Sequence, residues 1–131
     1  MYEIFKEFTF EAAHQLPPYS DLHGHTFKVE VSFAGEPDPV FGWSANLDEL
    51  DEVIDDIKAQ IDHKFLNRVV GLEIPSLENV ARWLWTRIDT QMGNVCRVVV
   101  RRGADGNAEG CVYEGCRRRD PAQRDLFEAV S

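Results

Sequence analysis

The stretch His14-Gln15-Leu16-Pro17-Pro18-Tyr19-Ser20-Asp21-Leu22-His23-Gly24-His25 holds three of the four histidines in a chain of 131 residues. His23 and His25 are two apart, which in a β-strand puts both rings on one face because successive side chains alternate. His14 closes one run of alternating residues and His23 opens the next. A hairpin that pairs the two runs therefore brings all three rings together. Three neutral imidazoles converging from rigid strands suit a tetrahedral zinc whose fourth position stays open to water or substrate. Structural or partly exposed histidines are the plainer reading of the same residues, and iron, nickel and copper accept the same ligand type.

Outward from this stretch the pattern continues on both sides. Between Tyr2 and His14, one face carries Ile4, Lys6, Phe8, Phe10, Ala12 and His14, and the other carries Phe5, Glu7, Thr9, Glu11 and Ala13. From His23 to Phe33 the alternation resumes, with His23, His25, Phe27, Val29, Val31 and Phe33 on one side. Both runs read as strands, and all three histidines share the parity of the apolar faces. Pro17-Pro18 and Tyr19-Ser20-Asp21 form the loop between them.

After a loop over 35–42, Asn46 is placed to N-cap a helix in which Leu47, Leu50, Ile54, Ile57 and Ile61 recur at helical spacing, with acidic residues on the opposite, solvated face. Asp62-His63 ends it, and Lys64-Phe65-Leu66-Asn67 leads into a loop through Gly71 and Pro75. Ser76 caps a second helix with Glu78 in its first turn, where a negative charge suits the helix dipole. Its stripe of Leu77, Val80, Ala81, Leu84, Ile88 and Met92 stops at Gly93. Val95 to Arg102 and Ala108 to Glu114 read as a closing hairpin about the turn Gly103 to Gly106. The expected fold is α+β, an antiparallel four-stranded sheet in the order ββααββ with two helices on one face. Residues 1–116 are expected to form a single domain, and 117–131, which opens with three arginines, a mobile or subunit-docking extension.

The formal charge of −9, from 23 acidic against 14 basic residues, argues against nucleic acid or an anionic membrane as partner and favours a small molecule. Three cysteines without a C-x-x-C pair fit reduced thiols in a cytoplasm. With no basic-then-apolar leader and no apolar run of membrane-spanning length, neither secretion nor a membrane span is expected.

Four motifs in order, Phe10-Glu11-Ala12-Ala13-His14, Leu22-His23-Gly24-His25, Ile61-Asp62-His63 with Leu66-Asn67, and Pro75-Ser76-Leu77-Glu78-Asn79, resemble the 6-pyruvoyl-tetrahydropterin synthase and 6-carboxy-tetrahydropterin synthase family. The resemblance covers about Tyr2 to Glu114. It implies the tunnelling fold, a zinc cofactor on His14, His23 and His25, and a homo-oligomer, trimer or hexamer. It also implies a lyase acting on dihydroneopterin triphosphate or a related small phosphorylated substrate. Asp62 and His63 match the family's proton-transfer pair, and Glu78 and Arg102 fall at substrate-contacting positions.

Two departures accompany the match. The family's basic cysteine before H-G-H is absent, which leaves Tyr19 and Asp21 as the ionisable candidates in that loop. Arg102 stands where the family places a glutamate that grips the pterin edge. A guanidinium only donates where a carboxylate accepts, so the hydrogen-bonding sense of the site is inverted; Arg102 shares the parity of Val98 and Val100 and so points inward, and a structural ion pair with a nearby carboxylate is the plainer reading of the same residue. A relative that keeps the scaffold and binds zinc or a small ligand without catalysis is therefore the alternative to a lyase.

Overall fold

The computed structural model describes residues 1–16, 18, 21–103 and 106–115. Tyr19 and the extension over 117–131 lie outside the described residues. Two long strands, β1 (Tyr2–His14) and β2 (His23–Gly35), form an antiparallel pair in unbroken register from Tyr2↔Gly35 to His14↔His23. Helix α1 (Leu47–Ile61) follows, then a two-residue strand β3 (Lys64–Phe65) and a 3-10 turn over Leu66–Arg68. Helix α2 (Leu77–Met92) leads to β4 (Val95–Arg102) and β5 (Glu109–Tyr113). The sheet runs β3-β1-β2-β4-β5 and is antiparallel except where β3 lies parallel to β1.

The sheet thus has five strands where the sequence suggests four. Lys64 and Phe65 pair with Ala12 and Ala13, too short a run for any periodicity to announce. The preceding residues set this strand in place. His63 turns the chain with a left-handed φ of 58°, and its N–H donates to the Glu11 carbonyl at 2.6 Å.

Both helices start where their caps direct. Asn46 accepts from the N–H groups of Asp48 and Glu49, and Ser76 Oγ from that of Asn79, so each satisfies donors that a helix N-terminus otherwise leaves open. Gly93, at φ 71°, ends α2. The helices bury Leu50, Ile54, Ile57 and Ile61 from α1 and Val80, Ala81, Leu84 and Ile88 from α2 against one face of the sheet. On that face Phe10 and Phe27 stack at 4.8 Å beside Val29, Val31, Val98 and Val100. Trp85 meets Tyr113 of β5 edge-on at 5.7 Å, and Trp83 Nε1 donates to the Val70 carbonyl.

The opposite face carries polar pairs instead: Glu7 with Lys28, Glu30 with Arg101, Glu3 with Arg97, and Thr26 donating to Glu11. No described element covers that face. Because β3 pairs only at Ala12 and Ala13, no other strand among the described residues covers the rest of the β1 edge or the outer edge of β5. No helix among the described residues is long and apolar enough to cross a membrane.

Candidate metal centre

The β1–β2 register puts His14 directly across from His23, and Ala12 across from His25. One ring nitrogen from each of the three histidines lies within 4.8 Å of the others. Ring centroids are 4.6, 4.9 and 4.7 Å apart and the planes are close to perpendicular, so the three edges converge rather than stack. His14 Nε2 and His23 Nε2 are 3.0 Å apart. Two ligands of a tetrahedral zinc, each at about 2.0–2.1 Å, sit about 3.3 Å from one another, so little adjustment is needed.

Backbone carbonyls fix the orientation of two rings. His14 Nδ1 donates to the Pro75 carbonyl at 3.1 Å, and His23 Nδ1 to that of Asp21 at 3.1 Å. A ring that donates from Nδ1 keeps its lone pair on Nε2, and in both cases Nε2 is turned toward the shared centre. His25 Nε2 is buried and has no hydrogen-bond partner among the described residues. Buried polar atoms are nearly always paired, so an orphaned ring nitrogen facing two aligned ones fits a cation at the centre.

Electrostatics favours the same state. Burial is the main cause holding His14 and His25 below the usual histidine range; neighbouring rings and the Arg102 guanidinium add to it, while the Pro75 hydrogen bond on His14 and the Glu109 charge near His25 oppose it. The shifts on His14 and His25 favour the neutral ring, the form that ligates a metal. Beneath them Phe27 meets His14 and His25 edge-on at 5.9 and 5.7 Å and closes the centre on its core side.

The other sequence candidates occupy distinct places. Asp62 Oδ1 accepts from the Glu11 N–H at 2.8 Å, so Asp62 and His63 together bracket the backbone of Glu11 at the open edge of β1. The His63 ring is 77% exposed, with Nε2 3.8 Å from Asp62 Oδ2. It makes no ring contact or hydrogen bond with the three histidines, although a cleft of about 540 Å³ is lined by both His63 and His25, with Glu11, Gly24, Thr26 and Phe65. Asp21 is exposed, and its contribution to the centre is its backbone carbonyl. Glu78 approaches Cys111 of β5, whose thiol is pushed up by burial first and by the Glu78 carboxylate second.

Arg102 sits on the histidine side of the sheet, its Nε donating to Glu109 Oε1 at 2.7 Å. The ion pair that the sequence leaves open is therefore formed, and it holds the Glu109 carboxyl below the usual carboxylate range. Three contributors carry no signal of their own in the sequence: the Pro75 carbonyl, Glu109, and Asn67. Asn67 Oδ1 accepts from Gln15 N–H at 2.9 Å and its Nδ2 donates to Gln15 O at 2.8 Å, clamping the residue that follows His14. Asn67 lies within a recognised motif, but only the structure shows its task.

Comparison with known proteins identifies the family. The profile of the family described as "6-pyruvoyl tetrahydropterin synthase" matches residues 3–115. The chain is 37% identical over 101 residues to a 6-carboxy-5,6,7,8-tetrahydropterin synthase from Synechocystis, an alignment spanning 68% of this chain and 76% of the relative. It is 35% identical over 82 residues to a dihydroneopterin monophosphate aldolase from Pyrococcus furiosus, spanning 61% and 68%. Among solved structures, a Caenorhabditis elegans 6-pyruvoyl tetrahydropterin synthase superposes with a TM-score of 0.74 at 22% identity, covering 87% of this chain and 95% of that one. The profile match, the curated relatives and the five-stranded sheet with two helices agree: the chain belongs to the 6-pyruvoyl tetrahydropterin synthase family and has its tunnelling fold.

Proposed function

We propose that this protein is a zinc-dependent lyase of the tetrahydropterin synthase class, acting on dihydroneopterin triphosphate or a closely related small phosphorylated substrate. The observation that carries the reading is the histidine centre, with two rings aimed by backbone carbonyls and the third, His25, buried with an unpartnered Nε2. His14, His23 and His25 would hold the ion. When bound, it would polarise side-chain oxygens of the substrate and acidify the adjoining C–H and O–H groups. The relatives point to the same substrate class, since one is named for a tetrahydropterin product and another for a dihydroneopterin monophosphate.

Within one chain His63 is exposed and shares a cleft with His25 without touching the three histidines. We assign it to the centre of a neighbouring copy in a trimer or hexamer, a reading supported by the unpaired edges of β1 and β5, which invite pairing with another subunit. There His63 would move a proton at Nδ1, the ring nitrogen turned from Asp62, while Asp62 is tied to the backbone of Glu11. Tyr19 and Asp21 are the candidate acceptors for the proton that the family's cysteine would take. Glu78 and Arg102 would contact the substrate. The setting would be the cytoplasm, where Cys96 and Cys111 stay reduced.

The same replacements support a second reading, a zinc or ligand carrier without turnover, because Tyr19 stands in the cysteine's loop and Arg102 is already paired. Metal analysis together with product analysis on dihydroneopterin triphosphate separates the two. Stoichiometric zinc with zinc-dependent product supports the lyase, zinc without product supports the carrier, and the absence of both overturns the proposal.

A further inference from the structure

We infer that Arg102 is the group that selects an oxyanion, phosphate or carboxylate, on the substrate of the histidine centre, and that Glu109 is the positioning residue that aims it. This rests on the functional reading above but adds a specificity that the reading does not contain. Arg102 and Glu109 are directly opposed as the last pair of the β4–β5 ladder. The Arg102 side chain is only 16% exposed and that of Glu109 64%, so the guanidinium lies inside while its partner stands at the rim. The bond uses Nε, and Nη1 is buried with no hydrogen-bond partner among the described residues.

A guanidinium offers five N–H donors in a fixed fork, and its preferred partners are planar or tetrahedral oxyanions. Anchoring Nε fixes the plane of that fork and leaves Nη1 available to a ligand. Gly110 makes the approach possible, because a Cβ there would meet the Val100 carbonyl at 2.5 Å and push β5, with Glu109, away from β4.

The Glu109 bond is a matter of aim and not of charge, and that separates two variants. Glu109→Gln keeps an oxygen to accept from Nε while removing a negative charge, so anion affinity should hold or rise. Glu109→Ala removes the acceptor and should lower it by about three- to tenfold. Arg102→Gln should lose about tenfold to a hundredfold of the preference for an oxyanion, the range of a charge-assisted bond. Arg102→Lys, which keeps the charge without the fork, should recover part of it.

The test uses the full chain loaded with zinc and measures equilibrium affinity for neopterin triphosphate, for neopterin, and for inorganic phosphate. The expected result is a wild-type preference for the triphosphate that collapses in Arg102→Gln, falls in Glu109→Ala and survives in Glu109→Gln, with melting transitions showing that each variant is folded. If both pterins bind but the preference is the same in Arg102→Gln as in wild type, the inference is overturned and the pterin reading stands. If neither pterin binds while inorganic phosphate binds in an Arg102-dependent way, the inference holds and the pterin reading fails. Equal losses in Glu109→Gln and Glu109→Ala would overturn the role given to Glu109.

Discussion

Replacing Asn67 by alanine should weaken both the fold and the metal centre, although Asn67 touches no histidine. Its amide spans the backbone of Gln15, accepting from the N–H at 2.9 Å and donating to the carbonyl at 2.8 Å, and thereby fixes the chain as it leaves β1 at His14. Each such bond contributes about 0.5–1.5 kcal/mol net, so losing the pair should cost about 2 kcal/mol. For a domain of this size that corresponds to a fall in Tm of about 6–10 °C. Loss of the clamp also frees the residue next to the one fully buried ligand. Removing groups that orient metal ligands commonly costs about ten- to a hundredfold in affinity, and the lower end is expected here because the effect reaches His14 through one residue. The assay pairs urea melts of the metal-free protein with zinc competition against a chelator. Gln60→Ala is the control, since its bond is a 3.4 Å contact on the exposed side of α1. Asn67→Asp should be no better than alanine, because a carboxylate would face the Gln15 carbonyl in place of a donor. An Asn67→Ala protein matching wild type in both urea midpoint and zinc affinity would refute the reasoning.

The double variant His23→Ala/His25→Ala should retain no stoichiometric zinc by metal analysis, and unchanged zinc content would rule out the assigned ligands. Acid should destabilise the metal-free protein early. His14 and His25 are held below their ordinary value of 6.5, chiefly by burial, so as pH falls below 6.5 the unfolded chain takes up protons that the fold refuses. Their contribution is therefore intact above pH 6.5 and is lost as pH drops toward the lowered folded values. Urea midpoints that stay flat from pH 7.5 to 5 would contradict this. Burial and the Glu78 carboxylate push the Cys111 thiol up, so native Cys111 should alkylate more slowly at pH 8 than in urea, and Glu78→Gln should speed it; labelling at the unfolded rate would sink the assignment.

The parts of this molecule legible in its sequence are those whose physics is periodic or local. Alternation from Tyr2 to His14 and from His23 to Phe33 fixes two strands and their inner faces, and the second strand runs on to Gly35. Because register in a half-buried hairpin is fixed by which face is apolar, the three histidines had to converge once both runs were paired. The caps Asn46 and Ser76 and the terminator Gly93 are likewise chemical signals that act within four residues. Strand β3 escapes for the opposite reason: two residues hold no period, and what fixes them is a contact across fifty residues, His63 N–H to the Glu11 carbonyl.

The site divides along the same line. Ligand type and spacing identify His14, His23 and His25, but what aims them are carbonyls of Pro75 and Asp21, and a carbonyl is present on every residue, so no residue type could announce it. Arg102 shows how far a single position can mislead. Read alone, it puts a bare cation where an acceptor is expected. The register of β4 and β5 decides otherwise, since it sets Glu109 opposite Arg102 and occupies Nε while leaving Nη1 unpaired among the described residues. An acceptor is thus returned to the rim of the site, one strand away from where a one-for-one comparison looks for it. Its Oε1 accepts from the guanidinium, and with Arg102 16% and Glu109 64% exposed the pair keeps its donors inside and its carboxylate at the rim. A ligand edge made of N–H groups would meet the guanidinium inside and an acceptor only at the rim, whereas an oxyanion would find an oriented fork, and that asymmetry makes the charge on the substrate the property most worth varying.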